Sequence, residues 1–176
     1  MNEKIILLDR DGVINEDSDA YIKSVNEWIP LPGSMEAIAL LTQKGYRIFV
    51  ITNQSGVGRG YFSLADLEAM HQKMNNLVNA AGGKIEAVYF CPHVPDMGCH
   101  CRKPKPGLLR QIAHDEQIEL TGVPLVGDSL RDIEAAQQVG AKGILVKTGK
   151  GKRMIEKENT EGILIYDNLF AVAQTL

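Results

Sequence analysis

Short unbroken aliphatic runs recur along this chain, and an amphipathic stretch follows most of them. That alternation leaves few folds open. Ile5-Ile6-Leu7-Leu8 is the first run, and Ile48-Phe49-Val50-Ile51 and Leu125-Val126 lie in two others. A strand that is apolar at every residue must be covered on both faces, as the strands of a parallel sheet are. Strands are expected at 4–9, 46–52, 85–91, 124–128, 143–147 and 162–166. Between them, 33–43 turns Met35, Ile38, Ala39 and Leu41 inward at helical spacing. The stretch 63–81 carries Ala65, Leu67, Met70, Met74, Leu77 and Val78 on one stripe, with Ser63 and Asp66 in capping-box positions. Its methionines read as core filling. A helix should start near Gly107, and 129–138 and 168–175 read as the last helices. The expected class is α/β: one three-layer, Rossmann-like domain over 1–176, with a mainly parallel sheet and helices on both faces.

Composition narrows the partners. A chain of 176 residues can bury a sizeable core. Its net charge of -3 and lack of a basic block argue against nucleic acid. No apolar run is long enough to span a bilayer and no signal-peptide pattern precedes the first strand, so a cytoplasmic protein is expected.

Four segments carry chemistry. Asp9 and Asp11 flank Arg10 where the first strand runs out, and Gly12 lets the chain turn away. If the extended path continued, both acids would face the same side, at the strand ends where open α/β sheets bind ligands. Thr52-Asn53-Gln54-Ser55-Gly56 closes the second strand with a hydroxyl, amides and backbone N–H groups suited to an oxyanion. Gly56, Gly58 and Gly60 are expected to let the backbone approach a ligand, with Arg59 as a clamp. Arg102-Lys103-Pro104-Lys105 places basic residues just before a helix. Gly127-Asp128-Ser129-Leu130-Arg131-Asp132 repeats the first logic, an acid at a strand end and another one helical turn on. Each segment alone is an ordinary turn or a solvated charge.

Taken in order, the kit D-x-D, Thr, Lys, G-D-x-x-x-D resembles the haloacid dehalogenase superfamily of phosphohydrolases from about Lys4 to Lys147. The resemblance implies Asp9 as nucleophile, Asp11 as general acid and base, and Thr52 and Lys103 as holders of the transferring phosphoryl group. It also implies Mg²⁺ bound by the carboxylates of Asp9 and Asp128 and the backbone carbonyl of Asp11. Asp132 is expected to orient Lys103 or a metal-bound water. Neither inter-motif gap has room for a large cap domain, so the site is expected to be capless and its substrate chosen by loops. Trp28 and Tyr61 would either pack on a sugar face or anchor those loops. His71 and His114 read as packing or surface residues.

All three cysteines fall within eleven residues, in Cys91-Pro92-His93 and Cys99-His100-Cys101. Three thiolates and an imidazole make a closed structural zinc site. His93 is the better fourth ligand because His100 lies between two ligating cysteines, although His100 stays a substitute. The loop leads straight into Arg102 and Lys103, so zinc is expected to act as a clamp on them. With this loop added, the chain resembles the heptose bisphosphate phosphatases and the related histidinol-phosphate phosphatases. Ser55, Asn15 and Gly58-Arg59-Gly60-Tyr61 lean toward the first group. That resemblance implies removal of the 7-phosphate of D-glycero-D-manno-heptose 1,7-bisphosphate in lipopolysaccharide precursor synthesis. It assigns substrate contacts to Asp17, Ser18, Asp19, Ala20 and Tyr21, to Thr52, Asn53, Gln54 and Ser55, and to Arg102 and Lys103. The expected partner is a small sugar phosphate substrate, and the protein is expected to be a monomer. Histidinol phosphate is the rival substrate, and a silent zinc-stabilised binding module the rival of another class. Ser129 departs from the lysine that some relatives carry there.

Overall fold

The aliphatic run at residues 5–8 becomes a strand with a hydrophobic core on each side. A computed structural model describes residues 2–176. In it Ile6 and Leu8 join one buried cluster, while Ile5 and Leu7 join the other. Successive side chains on a strand point to opposite faces, so one run of four residues feeds both cores. Each such side chain, fully removed from water, contributes about 1.5–3 kcal/mol.

Six strands form one sheet: β1 (Ile5–Leu8), β2 (Arg47–Asn53), β3 (Ala87–Cys91), β4 (Pro124–Gly127), β5 (Lys142–Val146) and β6 (Leu164–Tyr166). Their order is β3-β2-β1-β4-β5-β6, and every pair is parallel. The helices are α1 (Ser34–Gln43), α2 (Ser55–Gly58), α3 (Leu64–Ala80), α4 (Gly107–Glu116), α5 (Leu130–Gln138), α6 (Gly151–Lys157) and α7 (Leu169–Thr175). On one face α1, α3 and α7 bury Ile38, Leu41, Met70, Met74 and Val172 with Val50 of β2. On the other, α4 and α5 bury Leu109, Ile112, Ala135 and Ala136 against Phe49 and Leu125. This is the three-layer α/β arrangement expected from the sequence.

Strand order reverses between β1 and β4, the neighbours at the centre of the sheet. Loops leaving β1 and β4 must diverge there, one to each side, which opens a crevice beyond the strands' carboxyl ends. The chain places its acidic residues at this crevice: Asp9 follows β1 and Asp128 follows β4. The Asp9 N–H donates to the Val126 carbonyl at 2.9 Å, so the two strands stay paired up to the point where the acids begin.

The local signals act as read at α3, where the Ser63 hydroxyl accepts from the Asp66 N–H at 3.1 Å. The Asp66 carboxylate accepts in return from the Ser63 N–H at 2.8 Å. Two helices fall outside the sequence reading. α2 is four residues containing two glycines, and α6 follows the position where the last helix but one was expected to end.

Candidate active site

Lys103 is the hub of the crevice. It is 3% exposed, and its ammonium donates to Asp9 Oδ1 at 2.9 Å, Asp132 Oδ1 at 2.7 Å and the Ile51 carbonyl at 3.1 Å. All three of its donors are therefore used. Burial works against its charge, but Asp132 and Asp9 outweigh that and hold it firmly protonated. Asn53 fixes the backbone beneath it: Oδ1 accepts from the Lys103 N–H at 2.9 Å, and Nδ2 donates to the Lys103 carbonyl at 3.1 Å.

The acids outnumber this cation. Carboxylate oxygens of Asp9, Asp128 and Asp132 lie within 4.8 Å of one another. Burial, then the charge of Asp132, pushes Asp9 up to about 7 despite Lys103. Burial and the charges of Asp9 and Asp132 raise Asp128 well above the usual carboxylate range. Three buried carboxylates facing one ammonium lack positive charge, and hard oxygen donors of this kind suit a magnesium ion. Asp132 is already spent, with Oδ1 on Lys103 and Oδ2 accepting from the Ser129 N–H at 3.3 Å. That leaves Asp9 and Asp128 as the open carboxylates. Gly12 and Gly149 flank Asp128 so closely that a Cβ on either would collide with its carboxylate, and both have positive φ.

Asp11 behaves differently from its neighbour. Burial works against its charge, but Arg10, Asn15 and Gln54 prevail and hold it below the usual range. Its Oδ1 accepts from Arg10 Nε at 2.8 Å and Asn15 Nδ2 at 2.8 Å, while Oδ2 accepts from Gln54 Nε2 at 3.2 Å. Gln54 also donates to Thr52 Oγ1 at 2.9 Å, which ties the two strand ends together.

These groups line a cleft of about 290 Å³. Asp17, Ser18, Asp19 and Tyr21 form one wall, Thr52, Asn53, Gln54 and Ser55 another, and Arg102, Arg131 and Lys150 bring positive charge to it. Arg102 Nη1 is buried with no hydrogen-bond partner among the described residues. Burial, then Arg131, lowers its pKa. Lys150 bridges to Asp17 at 2.9 Å, and its N–H donates to Asp128 Oδ2 at 2.9 Å.

A second cluster lies where β3 ends. Ligand atoms of Cys91, His93, Cys99 and Cys101 gather within 4.8 Å. Cys91 Sγ sits 3.6 Å from Cys99 Sγ and 3.5 Å from His93 Nδ1, and His93 Nδ1 is 3.3 Å from Cys101 Sγ. A tetrahedral zinc ion, with bonds of about 2.0–2.3 Å, sets its ligand atoms at such spacings. Burial and the neighbouring sulfurs push Cys101 up to about 12. At Cys99 burial is outweighed by the Arg102 N–H and the other thiols, which bring it down to about 6. The donor set fits the metal, and His100 lies outside the cluster.

The comparisons with known proteins bear on this geometry. A family model described as HAD-hydrolase-like matches residues 100–171. D-glycero-beta-D-manno-heptose-1,7-bisphosphate 7-phosphatase from Pseudomonas putida is 57% identical over 173 residues, covering 98% of this chain and 99% of the relative. Its counterpart in Pseudomonas aeruginosa is 54% identical over 176 residues, covering 100% and 99%. The crystal structure of D,D-heptose 1,7-bisphosphate phosphatase from Bordetella bronchiseptica, complexed with magnesium and phosphate, superposes with a TM-score of 0.95. It is 50% identical and covers 98% of this chain and 97% of that one. The chain belongs to the heptose 1,7-bisphosphate 7-phosphatase family.

Within this family site the fold brings together nearly every residue singled out in the sequence. Ala20 is the exception: it lies on the exposed side of its loop and does not line the cleft. Two further expectations need correction. Gly56 and Gly58 do not open the backbone to a ligand, because a Cβ on Gly56 would strike Phe62 and one on Gly58 would meet the Pro92 carbonyl at 2.6 Å. They serve the packing of α2. Arg59 lies over the Tyr21 ring at 5.9 Å and does not line the cleft. Trp28 is fully buried in the core, so it anchors its loop, whereas Tyr61 is exposed and packs edge-on against Tyr21. Ser129 caps α5 by accepting from the Arg131 N–H at 3.3 Å. Arg131 and Lys150 were missed. Each sits within a few residues of a strand's carboxyl end, the one local signal that separates them from solvated surface charge.

Proposed function

We propose that this chain is a phosphohydrolase that removes the 7-phosphate of D-glycero-D-manno-heptose 1,7-bisphosphate, with magnesium in the Asp9–Asp128 site. The carrying observation is the meeting of Asp9, Asp128 and Lys103 at the sheet's switch point in a member of this family. Five relatives between 50% and 57% identical are named for the β-anomer, and we infer the same preference here.

Asp9 attacks phosphorus, so that an Asp9–phosphorus bond forms as the bond to the sugar oxygen breaks. Asp11 gives its proton to the leaving oxygen and then takes one from the water that cleaves the aspartyl phosphate, releasing inorganic phosphate. In the free protein Asp11 is held ionised, so it must first gain a proton. The negative charge of the arriving ester raises its affinity for one. Lys103 and the Thr52 hydroxyl hold the phosphoryl oxygens. Magnesium, held by the Asp9 and Asp128 carboxylates and the Asp11 carbonyl, offsets the charge that two anions bring together.

Arg102, with its unpartnered buried nitrogen, suits the sugar's second phosphate, and Arg131 and Lys150 add to that field. Asp17, Ser18, Asp19, Tyr21 and Ser55 provide hydroxyl, carboxylate and aromatic groups for the sugar. Zinc in the Cys91–His93–Cys99–Cys101 cluster supplies no reactant. Held by those four residues, it would order the loop that delivers Arg102 and Lys103. One domain then carries the whole site, and a monomer working in the cytoplasm suffices. Unpaired cysteines suit that compartment, and no helix among the described residues is long and apolar enough to cross a membrane.

The test is magnesium-dependent phosphate release from the two heptose anomers and from histidinol phosphate, side by side. Preference for the β-heptose ester is expected. Preference for histidinol phosphate would keep the chemistry and overturn the substrate.

A further inference from the structure

Arg10 is fully buried between the two acids of the D-x-D segment. A buried guanidinium must be both neutralised and hydrogen-bonded, or its desolvation is uncompensated. Asp11 supplies the charge: Arg10 Nε and Nη2 both lie 2.8 Å from its Oδ1. The remaining terminal nitrogen, Nη1, faces the imidazole of His71 on α3, with Nε2 at 3.1 Å. His71 is itself buried, its ring tilted against Phe90 with centroids 6.3 Å apart. Burial, then the Arg10 charge, pushes His71 down to about 4. A neutral ring facing a guanidinium must accept at Nε2, so Nδ1 carries the proton.

The two oxygens of Asp11 are thereby made unequal. Oδ1 is occupied by Arg10 and Asn15, whereas Oδ2 has the single longer contact with Gln54 at 3.2 Å. We propose that His71 is a positioning residue for the reaction: by fixing the Arg10 guanidinium it aims Asp11, so that Oδ2 carries the proton to and from the sugar oxygen. This rests on the reading of Asp11 as acid and base. Without an acceptor at residue 71, Arg10 Nη1 is left buried and unpaired and the guanidinium must turn to find one. Asp11 Oδ1 then loses the Nε hydrogen bond and the ion pair that orient it. Small misplacements of a reacting group are costly in rate even when binding is unchanged.

The experiment compares His71→Leu, which removes the acceptor, with His71→Gln, whose amide oxygen lies near the former Nε2. The His71→Leu enzyme is expected to lose about 10- to 100-fold in kcat on heptose 1,7-bisphosphate with KM nearly unchanged. His71→Gln is expected to recover most of that loss. The His71→Leu loss in kcat/KM should shrink to a few-fold on 4-nitrophenyl phosphate, whose leaving group needs little protonation. Wild-type kcat in His71→Leu, an equal deficit in both variants, or equal losses on the two esters would overturn the proposal. Asp11→Asn is the control for the underlying reading. If it too loses equally in kcat/KM on both esters, the assignment of Asp11 as the acid has failed, and that is a different result from a failure confined to His71. Thermal unfolding of both His71 variants separates a folding fault: a kcat deficit that follows Tm and ignores the leaving group is structural and overturns the positioning role.

Discussion

The carboxylate centre and the cysteine–histidine loop hold their groups in opposite ways. Asp9, Asp128 and Lys103 are positioned by the sheet. Two of them continue paired strands, and the third has its ammonium on β2's Ile51 carbonyl and its backbone on β2's Asn53. The core behind them fixes their geometry, at the cost of crowding like charges in a buried place. The loop from Cys91 to Cys101 has only a three-residue helical turn, Pro95–Met97, and buries little apolar surface of its own. Its order comes from four converging side chains and from a few seams, such as Gly58 N–H to the Pro92 carbonyl at 2.9 Å. The first centre is a rigid scaffold short of positive charge. The second is a loop with little core of its own, whose four ligand groups a metal cross-link would close. Packing can aim a reactive group, whereas a cross-link can only keep a loop from leaving.

The sharpest way to break this comparison is Asp9→Asn. Loss of the nucleophile should reduce phosphate release by about 10⁴-fold or more. The Tm should hold or rise, because a carboxylate pushed up to about 7 is costly to ionise where it sits. Appreciable turnover would remove Asp9 from its role.

Lys103→Ala comes next. Removing the hub should cost about 10²- to 10³-fold in kcat. It should also destabilise the protein by about 3 kcal/mol, because Asp9 and Asp132 are left facing each other unpaired. Urea unfolding measures that cost, and a near-normal rate would take Lys103 out of the site.

Cys99→Ser acts on the loop alone. We expect loss of the bound zinc, faster amide exchange across residues 92–102, and a fall in kcat of about 10- to 100-fold. Full activity in a zinc-free protein would show that the loop needs no cross-link to deliver Lys103.

The smallest effect concerns pH. Asp9 holds a proton in the folded state up to about 7, against an ordinary value of 3.8. Between those values the folded chain binds a proton that the unfolded chain has released, so this group's contribution to stability falls as pH rises through that window. Magnesium on Asp9 would bind the ionised form. Its addition should therefore raise Tm by a few degrees more at about pH 8 than near pH 5. An equal rise at both would mean that the ion does not sit on Asp9.

Much of this was legible because the determinants are local. Short continuous apolar runs bounded by turn residues read as doubly covered strands, so their ends, and the acids on them, follow from the order of residues. Ser63 and Asp66 announce the start of α3 by the same reciprocal bonds that the structure shows. What escaped depends on contacts distant in sequence. α6 has only Met154 and Ile155 as large apolar residues, so no stripe marks it. Gly56 and Gly58 look permissive in sequence, but Phe62 and Pro92 decide what they are for. The tie between Arg10 and His71 spans sixty-one positions. Nothing near either residue points to the other.

The seam of Gly12, Asp128 and Gly149 also limits how this enzyme can be redesigned. A single added methyl on either glycine would strike the Asp128 carboxylate, and both backbones already take a conformation that other residues resist. Those two positions have no alternative letter compatible with the site. Variation in what the cleft accepts must come from elsewhere, from lining residues such as Asp17, Ser18, Tyr21, Arg102, Ser129 and Arg131, while the chemistry stays behind a seam that resists substitution.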